Sequence, residues 1–335
     1  MDEVIQLVSA ADEKFAPGLI TALASAVGSA SGKFGYHVSV IDGGLLAQSW
    51  ERLESCLQRI GKQREIPVSL ERIAAASLMT SDLPMRRGSQ LTYARLVIPH
   101  FLKASKLVYM DSDVLCLRGI EAFWTILTEC AVVATRDPLV SLGRDSFARK
   151  HLSREKRGLP YFNAGIIGIN CERWRSQENH RKIREFLLLS DEFHYADQSL
   201  LNTVFHDDWK EIPDLNNQVL TLRNCANVGS VDPAVNFHHV GPRKPWLSRE
   251  SSLYRYTSDL LFDRFYEWVS GVTSSERTVQ ERAMVKVRKK ALWYRYFYPS
   301  RGREYAKILG SMNEAERHVD RLWLAWLARL DKGGR

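Results

Sequence analysis

Hydrophobic residues through the first two thirds of the chain fall into short apolar or alternating runs, separated by stretches with helical spacing. VIQLVSAA (4–11), YHVSVID (36–42) and IPVSL (66–70) read as strands. LITALASAV (19–27) and LLAQSWERLESCLQRI (45–60) read as the helices between them. The same rhythm continues with helical QLTYARLVIPHFL (90–102), strand KLVYMD (106–111), helix EAFWTILTE (121–129), strand AVVATRD (131–137) and strand YFNAGIIGIN (161–170). A helix over ERWRSQENHRKIREFLLL (172–189) follows. Alternation of this kind predicts β-α-β units: an α/β fold with a mainly parallel mixed sheet flanked by helices. Asp111 then stands at the C-terminal end of a strand, the edge of an open α/β sheet where ligands bind near a topological switch point.

Past about residue 270 the pattern changes. A connector, GVTSSERT (271–278), leads to KKALWYRYFYP (289–299) and then to a helix expected over roughly 313–331. That helix sets Val319, Leu322, Trp323, Trp326, Leu327 and Leu330 on one face. Such a face fits a helix packed on the main body and one lying at a lipid interface equally well. The expected division is a domain over 1–270 and a basic, aromatic helical region over 271–335.

Composition narrows the class. The chain has 335 residues, 45% hydrophobic and 26% charged, enough for one large core or two modest ones. Its acidic N-terminus, MDEVIQLVSAADEKF, lacks the basic region of a secretory leader, and no run of about eighteen apolar residues occurs. A cytoplasmic protein is expected. Cys56, Cys116, Cys130, Cys171 and Cys225 are odd in number and never in C-x-x-C spacing, which suits reduced core thiols. Residues 282–307 hold nine Lys or Arg against one acid, Glu304, for a local net charge of +8, equal to that of the whole chain. Elsewhere 38 basic residues face 38 acidic ones, so any attraction to a polyanion belongs to the tail. Basic residues interleaved with aromatics suit single-stranded nucleic acid too. The balanced body favours an anionic membrane surface as partner, with no nucleic acid expected.

Chemistry enters at Asp111-Ser112-Asp113. Two carboxylates one residue apart in an apolar run need water, donors or a cation. At a strand end they can offer hard oxygens to Mg²⁺ or Mn²⁺, although such triplets are also common in turns and helix caps. A second element, NFHHVGPRKPW (236–246), supplies an imidazole, a glycine that allows close backbone approach, and a lysine six residues after His238. Together these suit a metal-bound diphosphate, with Mn²⁺ more tolerant of nitrogen than Mg²⁺.

With these stretches in hand the chain resembles glycosyltransferase family 8. These are retaining enzymes of the Rossmann-like GT-A fold that use nucleotide-sugar donors, and the likeness is strongest to the bacterial lipopolysaccharide and lipooligosaccharide galactosyl- or glucosyltransferase branch. The resemblance runs in order through SAADEKFAPGL, HVSVIDGGL, LTYARLVIPHF, KLVYMDSDVLCL, YFNAGIIGINCERW, YADQSLLN and HHVGPRKPW, about residues 4 to 248. The tail also resembles the family's basic, aromatic membrane-association segment.

The resemblance implies that Asp111, Asp113 and His238 hold Mn²⁺ against the diphosphate of a UDP-hexose, with Gly241 and Lys244 completing the clamp and Ser112 beside it. His239 would be a packed neighbour. It assigns Ala10 and Asp12 to uracil and ribose, Phe15 to stacking on the base, and Arg95 to the donor. Asn163 and Gly165 would line the sugar pocket, with Asp197 and Gln198 at the sugar and its anomeric carbon and Asp137 associated with that pocket. Arg95 reads otherwise as an internal salt bridge, and Asp197 with Gln198 as a helix cap. Lys14 and Phe15 depart from the asparagine and tyrosine common in relatives. Residues 138–160 match nothing in the family and are where acceptor specificity is expected. The implied reaction moves galactose or glucose to a saccharide or glycolipid acceptor, on the inner face of the cytoplasmic membrane. Competing readings are a metal-dependent nucleotide-sugar hydrolase, a nucleotidyltransferase, and a non-catalytic membrane-binding adaptor.

Overall fold

The computed structural model describes residues 3–79, 83–85, 89–220, 235–241, 244–247, 257–271, 289 and 292–331. In chain order the strands are β1 (Val4–Ala11), β2 (Gly35–Asp42), β3 (Val68–Ala74), β4 (Lys106–Met110), β5 (Val114–Cys116), β6 (Val132–Arg136), β7 (Phe162–Asn170), β8 (Trp209–Ile212), β9 (Gln218–Val219) and β10 (Asn236–His238). The helices are α1 (Ala16–Gly28), α2 (Ala47–Arg64), α3 (Ala94–Phe101), α4 (Glu121–Thr125), α5 (Ser146–His151), α6 (Cys171–Trp174), α7 (Gln177–Leu187), α8 (Asp197–Val204), α9 (Thr257–Ser270) and α10 (Pro299–Asp331).

Seven strands form one sheet in the order β3-β2-β1-β4-β7-β6-β8. Four of its six pairings are parallel, and β7 runs antiparallel to both neighbours. The order reverses between β1 and β4, so the C-terminal ends of those two strands open a crevice. A second sheet, β5-β10-β9, stands beside it. Its register matters most, because antiparallel pairing sets His238 opposite Val114, the residue after Asp113.

Local chemistry explains where the elements depart from the hydrophobic pattern. The strand expected at 66–70 is hydrogen-bonded from Val68 to Ala74. It is an edge strand, and its Ser69 and Glu71 meet His37 and Ser39 of β2. The single helix expected over 172–189 breaks in two, because Ser176 accepts from Asn179 N and starts a new helix. The helix expected over 121–129 ends at Thr125. Cys56, Cys116 and Cys171 are buried thiols and Cys130 is half-buried, while burial pushes Cys56 and Cys171 up to about 11. Cys225 lies outside the described residues.

The C-terminal helix α10 docks by its far half. Val319, Leu322, Trp326 and Leu330 are buried in the same core as α1 and α9. A Cβ added to Gly28 would lie 2.4 Å from the Trp326 ring, so that glycine in α1 is the seat of the indole. Trp326 Nε1 donates to Ser29 Oγ at 2.8 Å, and Arg264 pairs with Asp320 at 2.8 Å. At the other end Leu292, Trp293, Tyr296, Phe297 and Tyr298 are exposed, as are Lys289, Arg295 and Arg303. Residues 282–288, 290 and 291 of the basic segment lie outside the described residues. No helix among the described residues is long and apolar enough to cross a membrane.

Candidate active site

Three backbone features build the site. Strand β4 ends at Met110, and the chain turns through Asp111-Ser112-Asp113 into β5 in the second sheet. Pairing of β5 with β10 brings His238 alongside. The β6–β7 ladder jumps from Ala134↔Ile167 to Thr135↔Asn163, and this irregularity frees Ala164, Gly165 and Ile166 from β6. Bulges next to a site re-aim side chains. Here Gly165 O accepts from Asp111 N at 2.7 Å, and a Cβ on Gly165 would lie 2.1 Å from the His238 ring. The glycine is required because the imidazole occupies the space a side chain would take.

Asp111, Asp113 and His238 have ligand atoms within 4.8 Å of one another. His238 Nε2 lies 3.3 Å from Asp113 Oδ1 and 3.8 Å from Asp111 Oδ2. Asp113 Oδ1 is buried without a hydrogen bond, which is the condition a cation relieves. Two carboxylate oxygens and one imidazole nitrogen form a donor set that fits Mn²⁺, and Mg²⁺ less well.

Cations already border the cluster. Lys244 Nζ donates to Asp113 Oδ2 and to the His239 carbonyl, and the residue is buried. Arg95 is also buried; its guanidinium meets Asp111, donates to Ala164 O, and pairs with Asp197 at 2.8 Å. It lies over the Tyr109 ring at 4.5 Å. Burial alone would raise Asp113, but Lys244 and then His238 outweigh it and hold the carboxyl well below the usual range. At Asp111 burial prevails over Arg95 and raises the carboxyl. Burial opposes charge on Arg95, yet Asp111 and Asp197 keep it firmly protonated. His239 faces the other way: its Nδ1 is 3.2 Å from Asp113 O and its Nε2 is 3.8 Å from Asp259 Oδ1. Burial lowers its pKa. Adjacent residues of a strand point to opposite faces, so one histidine of the pair joins the carboxylates and its neighbour packs toward α9.

A second group of side chains is mostly neutral. Gln198 Oε1 accepts from Ala164 N at 2.9 Å, and Gln198 Nε2 donates to Asp137 Oδ2 at 3.1 Å. The same Asp137 oxygen accepts from Asn163 Nδ2 at 3.0 Å, while Asp137 Oδ1 caps Leu139 N and Val140 N. Asn163 Oδ1 lies 3.0 Å from His238 Nδ1, which joins this group to the Asp111–Asp113–His238 cluster. Asp197 and Gln198 open α8 behind Ala196, whose φ of 54° and ψ of −136° are strained for a residue with a Cβ.

Ala10 lies in the buried run that closes β1 at Ala11, and Asp12 accepts from Phe15 N at 3.1 Å as an N-cap. Phe15 meets Trp246 edge-on at 5.7 Å, and Trp246 Nε1 donates to Lys14 O at 3.1 Å. An added Cβ on Gly18 would lie 2.3 Å from the Trp246 ring and 2.5 Å from Ser112 O. The buried Ser112 and the segment that carries Lys244 therefore both rest on the start of α1. Gly241 holds a φ of +82° and turns that segment. Pro242 and Arg243 lie outside the described residues.

Sequence reasoning missed Asn217, a buried residue whose Nδ2 donates to Asn163 Oδ1 at 2.9 Å. Its context, PDLNNQ, reads as a turn, and no spacing ties it to Asn163. Gly18 and the strained Ala196 were also unread; Pro17-Gly18 at a helix start is the one local signal.

Residues 6–250 match the family described as Glycosyl transferase family 8. General stress protein A of Bacillus subtilis (strain 168) is 25% identical over 292 residues, covering 80% of this chain and 94% of that protein. The lipopolysaccharide 1,2-glucosyltransferase of Escherichia coli is 28% identical over 172 residues, 46% of this chain and 49% of that one. Among solved structures, the galactosyltransferase LgtC in complex with donor and acceptor sugar analogues superposes with a TM-score of 0.61 at 24% identity. It covers 80% of this chain and 96% of that one.

Proposed function

The chain belongs to glycosyl transferase family 8 and is a glycosyltransferase of the GT-A fold, and from that premise we propose that it moves a hexose, galactose or glucose, from a UDP-hexose to a saccharide or glycolipid acceptor with retention at the anomeric carbon. A lipopolysaccharide or lipooligosaccharide acceptor is supported by the named function of the E. coli relative. The observation that carries the reading is the meeting of Asp111, Asp113 and His238, with Lys244 on the same carboxylate.

Asp111, Asp113 and His238 would hold a divalent cation, Mn²⁺ in preference to Mg²⁺, which would supply Lewis-acid stabilisation of the departing diphosphate. Lys244 puts a fixed positive charge beside the same position, aimed where negative charge develops. The left-handed turn at Gly241 lets the backbone approach the diphosphate. Ala10, Asp12 and Phe15 receive the base and ribose at the end of β1. Arg95 ties Asp111 to Asp197, so the leaving-group side and the sugar side keep one spacing. Gln198 is a poor nucleophile, and both ends of its amide are held by Ala164 and Asp137. That clamped geometry supports front-face attack, in which Gln198 Oε1 and the Asp197 carboxylate face the positive charge that builds on the sugar. Trapping a hexose covalently on Gln198 of the wild-type enzyme would overturn the front-face assignment.

We take 1–270 as the catalytic domain and 271–335 as a region that attaches to the anionic inner face of the cytoplasmic membrane through 282–307. The exposed Trp293, Tyr296, Phe297 and Tyr298 beside exposed Lys289, Arg295 and Arg303 support this. A product assay tests the function. With UDP-galactose or UDP-glucose, Mn²⁺ and a saccharide acceptor, transferred sugar should exceed free hexose. Release of free hexose unaffected by any acceptor would favour a nucleotide-sugar hydrolase.

A further inference from the structure

Lys244 is 6% exposed although its side chain ends in a charge. Its Nζ reaches Asp113 Oδ2 and the His239 carbonyl, and a charge placed this way is useful only while the backbone behind it keeps its position. The residue that holds that backbone is Trp246. Pro245 between them locks its own φ and restricts Lys244, so Lys244 and Trp246 move as one unit. Leu247 N donates to Lys244 O at 3.0 Å and closes the turn.

Trp246 is held from two sides. At the start of α1 its Nε1 donates to Lys14 O at 3.1 Å, and its ring meets Phe15 edge-on at 5.7 Å. Gly18 is the seat: a Cβ there would lie 2.3 Å from the indole, so only glycine leaves it room. From α9, Phe262 stacks on Trp246 with centroids 5.2 Å apart and planes at 30°, and Tyr266 stacks behind Phe262 at 6.3 Å. The same helix reaches the other end of the segment, where Asp259 Oδ1 lies 3.8 Å from His239 Nε2.

We propose that Trp246, seated between Gly18 and Phe262, is a positioning residue that sets where the Lys244 ammonium stands against the donor diphosphate. The indole acts through Lys244, and α9 thereby becomes part of the support of the donor site. The inference rests on Lys244 being a diphosphate-binding group, as proposed above.

A double-mutant cycle on UDP affinity, measured calorimetrically with Mn²⁺ present, separates this role from simple packing. Lys244→Met keeps the buried stem, removes the charge and should weaken UDP binding about 10- to 100-fold. Trp246→Ala should weaken it about tenfold, but in the Lys244→Met background by about twofold or less. Trp246→Phe, whose smaller ring can still stack on Phe262, should recover most of the loss. Uridine lacks the diphosphate, and its affinity should move less than that of UDP in both Trp246 variants. Equal losses from Trp246→Ala with and without the Lys244 charge would overturn the proposal. So would parallel weakening of uridine and UDP, which would assign Trp246 to Phe15 and the base instead. Should Trp246→Ala not fold, Phe262→Leu, expected to weaken UDP about threefold, enters the same cycle with the same criterion. A Lys244→Met variant that binds UDP like wild type overturns the diphosphate reading of Lys244 itself.

Discussion

The two sides of the pocket are built from different chemistry. One side is charged: Asp111 and Asp113 are answered by Arg95 and Lys244. The other is a set of amides, Asn163, Gln198 and Asn217, arranged around the carboxylate of Asp137. Charge suits a leaving diphosphate, whose negative charge grows as the bond breaks. Amides suit a sugar, which is neutral until the transition state and is held by shape and hydrogen bonds. The two sides share the hydrogen bond from His238 to Asn163 and the Arg95–Asp197 pair, so a defect on one side can be traced to the other.

Breaking the charged side should cost most. Asp113→Asn keeps the shape but removes a charge that binds the cation and answers Lys244, and kcat should fall about a thousandfold, on the order of 4 kcal/mol. Steady-state kinetics at saturating UDP-hexose check this. Gly165→Ala strikes the junction, since the new methyl group collides with the His238 ring. Mn²⁺ affinity should drop about 10- to 100-fold while the variant still folds, as a thermal melt would show. Asp137→Asn sharpens the contrast from the amide side. It should lower kcat about tenfold, by loosening Gln198 and Asn163, with Mn²⁺ affinity moving less than kcat; an equal loss of metal binding would merge the two sides into one. The smallest effect is expected at Ala196→Gly, where glycine accepts the φ of 54°. Relief of strain outweighs the added freedom of the unfolded chain by about 1 kcal/mol, a rise of about 2 °C in Tm by calorimetry.

Much of the architecture was legible because it is local. Strand-helix alternation gave the sheet, and the apolar run ending at Met110 put Asp111 at its ligand edge. The meeting of Asp111, Asp113 and His238 was anticipated from D-x-D and the segment with a histidine, a glycine and a lysine, with the family resemblance choosing His238 over His239. What was not legible depends on who meets whom. Gly165 resembles a sugar-pocket residue in sequence, yet its lack of a side chain makes room for the His238 imidazole. Asn217 enters through a neighbour 54 residues away in the chain. The apolar stripe at Val319, Leu322, Trp326 and Leu330 has the same spacing whether it faces lipid or protein; the seat at Gly28 shows this half packed on the core. Removing residues 271–335 as a test of membrane attachment would therefore uncover part of the core. Arg295→Glu with Trp293→Ala leaves that packing alone and suits vesicle binding better.

The central claim is that Asp111 and Asp113 in KLVYMDSDVLCL exist to hold a cation for a nucleotide diphosphate. Calorimetric titration of UDP into wild-type protein and Asp113→Asn, each with and without Mn²⁺, tests it most directly. Wild type should bind UDP tightly with Mn²⁺ and weakly without it, and the variant should show no gain from Mn²⁺. Equal UDP affinity with and without Mn²⁺ in wild type, or an undiminished Mn²⁺ effect in Asp113→Asn, would contradict the account.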